Sequence, residues 1–265
     1  MFGLALALLA ACGGSASSGS GATSEPAESA AASGYVTVQG HELAYDCVGQ
    51  GSPTVIFLHG LGGAAVDWAA TARLTGVHSC RFDRVNAGDS EHADERHQAT
   101  DSVAELHDFA AAAGLSPPFV LAAHSFGGLI AMMYAATYPD DVSALLLADT
   151  SLPLEADLDA QYLPPDQLET LRRDINDNPE LVDAYEAYAQ TAALLPRLPD
   201  VPITYMWGTL QEGPPEWPAG AYEAGLRAFM DGIPQGRLVE STADHDIPRD
   251  IPEQVVTELE LLLGE

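Results

Sequence analysis

The run Val120-Leu121-Ala122-Ala123-His124-Ser125-Phe126-Gly127-Gly128 leaves this chain few ways to fold. Its first half is apolar enough for a buried strand, and residues 129–138 after it suit a helix, so Ser125 stands at a sharp strand-to-helix turn. A turn that tight strains the serine backbone and brings neighbouring chain close, which requires small residues two before and two after it. Ala123 and Gly127 meet that requirement. The geometry presents a hydroxyl at a helix N-terminus, where unpaired N–H groups stabilise developing negative charge. A serine that merely caps a helix would need none of the features that follow.

Strand-like and helix-like segments alternate on both sides of this turn. Residues 35–38 and 42–47, separated by Gln39-Gly40-His41, form a hairpin pattern, and 53–58 is a continuous apolar run of the kind covered on both faces. That run ends in His59-Gly60-Leu61-Gly62-Gly63, which lacks the lysine and spacing of a phosphate-binding loop. It suits instead a backbone that aims N–H groups at a substrate carbonyl, with Leu61 and Phe126 as the expected main-chain donors of an oxyanion hole.

Residues 66–75 predict a helix and 77–82 a strand leading into Asp83-Arg84-Val85-Asn86-Ala87-Gly88-Asp89-Ser90. Residues 100–113 follow with apolar groups at helical spacing, and 142–148 make another apolar strand ending at Asp149. Strands at 201–207 and 237–240 and helices at 222–230 and 251–263 complete the pattern. His245 falls in the loop after the last strand, where parallel strands gather functional groups at their carboxyl ends. Residues 151–200 interrupt the alternation with prolines and a helical middle, too long for a structureless loop, and are expected to form a helical cap over the core of 34–150 and 201–265.

The chain carries 39 acidic residues against 10 arginines and no lysine, a formal charge of -29. Such a surface repels phosphate backbones and anionic membranes, so nucleic-acid binding is excluded as a function class. Residues 1–11 form a short apolar stretch, suited to a signal peptide rather than a spanning helix, although no Lys or Arg precedes it. Leu9-Ala10-Ala11-Cys12 resembles a bacterial lipobox, which implies that Cys12 is lipidated, that 12–33 is a flexible tether, and that the protein is exported and anchored to the outer face of the cell membrane. The lipid is then its one membrane contact.

Taken together, His59-Gly60-Leu61-Gly62, Asp83-Arg84 with Gly88 and Ser90, Ala-His-Ser-Phe-Gly-Gly at the turn and Asp-His-Asp-Ile-Pro near the end resemble the α/β-hydrolase fold family over nearly all of residues 34–263. The resemblance implies a mostly parallel eight-stranded sheet with helices on both faces and a small helical cap inserted after the sixth strand. It implies Ser125 as nucleophile, His245 as base and a carboxylate to orient the imidazole, acting without cofactor on a small ester-like substrate. Peptidase, lactonase and cofactor-free haloperoxidase chemistry share the same residues, and a ligand-binding or sensing protein shares the fold.

The position where many members carry the acid is Gln211 here, whose neutral amide cannot stabilise an imidazolium. Some members carry it one strand earlier, which designates Asp149, with Glu212 as the alternative. In this fold the second and fourth strands are neighbours, so Cys47 and Cys80 are disulfide candidates, the other outcome being two buried thiols. Asp244 and Asp246 beside His245 point in different directions, and His92 and His97 with their acidic neighbours suit a solvated loop, so no metal site is expected. Some of Leu61, Phe126, Leu152, Leu154 and Trp207 are expected to line an apolar acyl pocket beneath the cap.

Overall fold

The computed structural model describes residues 32–210, 214 and 216–264. The expected signal peptide, Cys12 and the alternative acid Glu212 therefore lie outside the described residues. The hairpin forms from β1 (Ala32–Val38) and β2 (His41–Val48), so the last two residues of the expected tether, Ala32 and Ser33, belong to the first strand. There follow β3 (Thr54–Leu58), α1 (Ala69–Leu74), β4 (Ser79–Phe82), α2 (Ala99–Ala112), β5 (Phe119–His124), α3 (Phe126–Thr137) and β6 (Val142–Ala148). The segment after β6 holds α4 (Leu154–Tyr162), α5 (Pro165–Asn176) and α6 (Glu186–Leu194). Then come β7 (Ile203–Gly208), α7 (Ala221–Asp231), β8 (Gly236–Ser241), α8 (Ile247–Asp250) and α9 (Pro252–Leu263).

The eight strands make one sheet in the order β1-β2-β4-β3-β5-β6-β7-β8. β2 runs against both neighbours, β1 and β4, and every other neighbouring pair is parallel. The apolar runs of β3, β5 and β6 are buried because both faces of the sheet are covered. Successive side chains divide between two cores: Ile56, Leu58, Leu121, Ala123, Leu145 and Leu147 pack with α2, α3 and the cap segment. Val55, Phe57, Val120, Ala122, Leu146 and Ala148 pack with α1 and α9 around Trp68.

α3 is buried from Phe126 through Ala136, as a helix apolar on all sides must be when sheet and helices surround it. Glycine lets it reach the sheet. A Cβ on Gly127 would lie 2.6 Å from the His59 carbonyl oxygen, and one on Gly128 2.2 Å from Thr150 Cβ. Cys47 and Cys80 are register partners on β2 and β4 and are joined by a disulfide. Among the described residues no helix is long and apolar enough to cross a membrane.

Candidate active site

β5 ends in His124, and Ser125 turns the chain into α3 with φ 52° and ψ -127°, a left-handed conformation that is costly for a residue with a Cβ. The strain expected of this turn is therefore present at Ser125. Asp149, leaving β6, also has positive φ (45°), which aspartate tolerates better than most residues. This backbone turns a buried carboxylate toward the β7 end of the sheet, where Oδ1 accepts the Gly208 N–H at 3.0 Å. The other oxygen, Oδ2, lies 2.8 Å from His245 Nδ1.

The three side chains come from three loops at the carboxyl ends of parallel strands, with His245 in the loop between β8 and α8. That loop is held in two ways. Its Asp244 carbonyl oxygen lies where a Cβ on Gly208 would be only 2.7 Å away, and the His245 carbonyl accepts the His124 Nε2–H at 2.9 Å. The His124 and His245 rings stand 4.6 Å apart, which places His245 beside the residue that precedes Ser125. Burial lowers the His124 pKa, with a protonated His245 opposing a second charge, so His124 acts as a neutral donor that pins the loop.

The hydrogen bond that His245 donates to Asp149 raises the His245 pKa against the opposing effect of burial. It also makes Nδ1 the protonated nitrogen of the neutral ring and leaves the lone pair on Nε2. The Trp207-Gly208 turn, which lacks an acid at Gln211, thus serves the carboxylate from β6 with a backbone N–H instead.

The glycine-rich loop after β3 packs directly on the turn, and a Cβ on Gly60 would lie 3.1 Å from Ser125 Cβ. Phe126 opens α3, so its N–H has no carbonyl one turn back to bond. The Leu61 N–H meets no acceptor among the described residues. Beneath this loop lies a buried ion pair that sequence reading missed. Arg84 Nε donates to Glu180 Oε2 at 2.8 Å, while its terminal nitrogens donate to the His59 and Gly60 carbonyls at 2.8 and 2.9 Å. Glu180, from the segment between α5 and α6, accepts the Gly62 N–H at 2.7 Å.

Burial is the largest influence and alone would raise the Glu180 carboxyl, but the charge and hydrogen bonds of Arg84 together with His59 and the Gly62 N–H outweigh it and hold the pKa low, so the pair is ionised. His59 is pushed down to about 4 by burial and by Arg84, and stays neutral. Its Nε2 accepts the Arg84 N–H at 3.3 Å, which leaves Nδ1–H to donate to the Gly60 carbonyl at 2.8 Å. Asp83 and Gly88 of the next loop have a local purpose. The Asp83 carboxylate accepts the Ala65 and Asp89 N–H groups at 2.6 and 3.0 Å, and a Cβ on Gly88 would collide with it at 2.2 Å.

One sequence expectation needs correction. Glu91, His92, Asp94 and Glu95 are exposed as expected of a solvated loop, but His97 is half-buried: it bridges to Val182, and its N–H and carbonyl bond Leu181 and Asp183, so it ties that loop to the cap segment. A cavity of about 710 Å³ opens beside Asp149 and His245, and its walls include Trp207, one of the expected residues, together with Glu155, Trp217 and Tyr222. Phe126 and Leu152 are buried in the core, and Leu61 and Leu154 pack half-buried against it. Cys47, His78 and Cys80 cluster, but both sulfurs are already spent in the disulfide.

A family model described as the alpha/beta hydrolase fold matches residues 53–230. Lipase 1 of Psychrobacter immobilis is 35% identical over 101 residues, 37% of this chain and 31% of that protein. The sn-1-specific diacylglycerol lipase ABHD11 of Mus musculus is 36% identical over 104 residues, 37% of this chain and 33% of that protein. The aligned region thus spans about a third of these relatives' length. Among solved structures, a membrane phospholipase A described as a bacterial virulence factor superposes with a TM-score of 0.61 at 22% identity, covering 88% of this chain and 86% of that one.

Proposed function

The chain belongs to the α/β hydrolase fold family, and from that premise we propose that it is a serine hydrolase that cleaves a carboxylic ester or related acyl bond through an acyl-enzyme. The observation that carries this reading is the 2.8 Å bond between His245 Nδ1 and a buried Asp149, assembled beside a strained Ser125. Similarity to two lipases supports the ester as substrate.

In this reading the Ser125 Oγ adds to the acyl carbon while its proton passes to His245 Nε2. The carbonyl oxygen becomes an oxyanion facing the Leu61 and Phe126 N–H groups, which cost no reorganisation because the loop is already braced. Collapse breaks the bond to the leaving alcohol, which takes the proton from His245. Water then repeats the sequence, giving its proton to His245, releasing the acid and restoring Ser125. Asp149 orients the ring and stabilises the imidazolium.

A fluorophosphonate probe tests the assignment. Prompt labelling lost in Ser125→Ala, together with hydrolysis of short 4-nitrophenyl esters, is the expected result. A native protein whose Ser125 stays unlabelled would overturn it. We also propose export and anchoring through a lipid on Cys12, for which acyl-chain labelling lost in Cys12→Ser is the check.

A further inference from the structure

We propose that the cavity beside His245 takes the protonated amine of an aminated substrate, held by the Glu155 carboxylate and the faces of Trp207, Trp217 and Tyr222. This names a substrate class for the proposed hydrolase and rests on that reading. The cavity has three carboxylates, Asp149, Glu155 and Glu223, and three aromatic rings on its walls and, apart from His245, which Asp149 already binds, no basic side chain among its lining residues. The sequence around the lining residues agrees: neither 142–171 nor 198–226 contains an arginine, lysine or histidine.

Glu155 lies at the start of α4 and reaches the cavity with its backbone side anchored. Oε1 accepts the Leu152 N–H at 2.7 Å and Oε2 the Tyr188 hydroxyl at 3.1 Å, so the carboxyl is fixed while neither bond neutralises a negative charge. Burial first, with Asp159 and Asp149 adding to it, outweighs the hydrogen bonds from Leu152 and Tyr188 and pushes the group up to about 7. A ligand cation is the partner this environment lacks, and its charge would favour the ionised acid. Glu223 at the cavity wall is already matched by Arg227, which also binds Glu240, so that guanidinium is committed outside the pocket.

The aromatic walls fit the same ligand. The Tyr222 hydroxyl is 2.9 Å from the Tyr205 hydroxyl, which in turn donates to the Thr150 carbonyl at 2.6 Å, so Tyr222 presents its ring rather than its polar end. Trp217 Nε1 donates to Asp159 at 3.2 Å, and its ring lies within 10° of parallel to Tyr222. Ring faces attract an ammonium through their quadrupole, and more strongly where water is partly excluded. A chain with net charge -29 also concentrates cations at its surface.

The test uses two inhibitors of equal length, n-hexylammonium and hexan-1-ol, against hydrolysis of 4-nitrophenyl butyrate at mildly alkaline pH. The ammonium is expected to inhibit competitively about ten-fold or more better than the alcohol, with the advantage shrinking as salt rises. In Glu155→Gln the advantage should vanish. Equal inhibition by the two in the native protein, or an advantage untouched by Glu155→Gln, would overturn the proposal. Should that variant not fold, Trp217→Leu at the half-buried wall takes its place and is expected to lose most of the discrimination. Calorimetric titration of the native protein with both compounds reads the pocket without turnover. Ammonium binding in a protein that hydrolyses no ester would therefore sink the enzyme reading alone, whereas ester hydrolysis without ammonium preference sinks this inference alone.

Discussion

The proton inventory of the site is set by individual side chains. His245 must be neutral to accept a proton, and the bond from Asp149 raises its pKa, so the acid limb of the pH–rate profile should lie above the ordinary histidine value. Activity is lost as pH falls through that limb, because protonation removes the base. Asp149→Asn should lower turnover by about 10³- to 10⁴-fold, through loss of the tautomer and of imidazolium stabilisation, and move the limb downward. Steady-state kinetics across pH would show both, and a mild loss with an unmoved limb would exclude Asp149 as the third member. At the same scale, His124 is more than the residue before the serine: its Nε2–H fixes the His245 carbonyl, so an apparent spare histidine positions the loop that carries the proposed base.

Between elements, the most consequential contact joins the cap segment to the loop after β3. Glu180 meets Arg84 with both side chains almost fully removed from solvent, at 1% and 2% exposure, and together they hold the His59, Gly60 and Gly62 backbone. A merely covering cap would leave that backbone alone. Glu180→Gln strands a buried guanidinium, so it should cost about 3–5 kcal/mol of stability, seen in urea unfolding. Where the variant remains folded, kcat should fall more than KM rises, because a loosened Leu61 N–H weakens stabilisation of the transition state more than binding of the ground state. Unchanged kcat with reduced stability would make the pair purely structural.

For the whole molecule, two predictions follow from charge and covalent closure. A formal charge of -29 repels itself in the compact state, so the melting temperature should climb as salt is added from a dilute buffer, where screening extends over about 30 Å at 0.01 M, and a flat response would show the carboxylates to be too well spaced to matter. The disulfide closes a segment with a sequence separation of 33, and removing it by Cys47→Ser with Cys80→Ser should cost roughly 2 to 4 kcal/mol in equilibrium unfolding. The fold class was legible in the chain because its cause is local and repetitive: apolar runs such as 142–148 can only be central strands, and the small residues around Ser125 can only serve a tight turn. Ser125 and His245 could be named as candidates because each follows a strand end in chain order, whereas Asp149 came from the family resemblance with Glu212 as the alternative, and the structure brings Asp149 to His245. What tertiary structure alone decided is how distant residues of one type are paired. Glu180 lies 96 residues from Arg84, Glu155 faces the cavity while nearby leucines turn into the core, and His97 meets Val182, because side-chain contacts across layers depend on packing direction, which no periodicity within a single segment encodes.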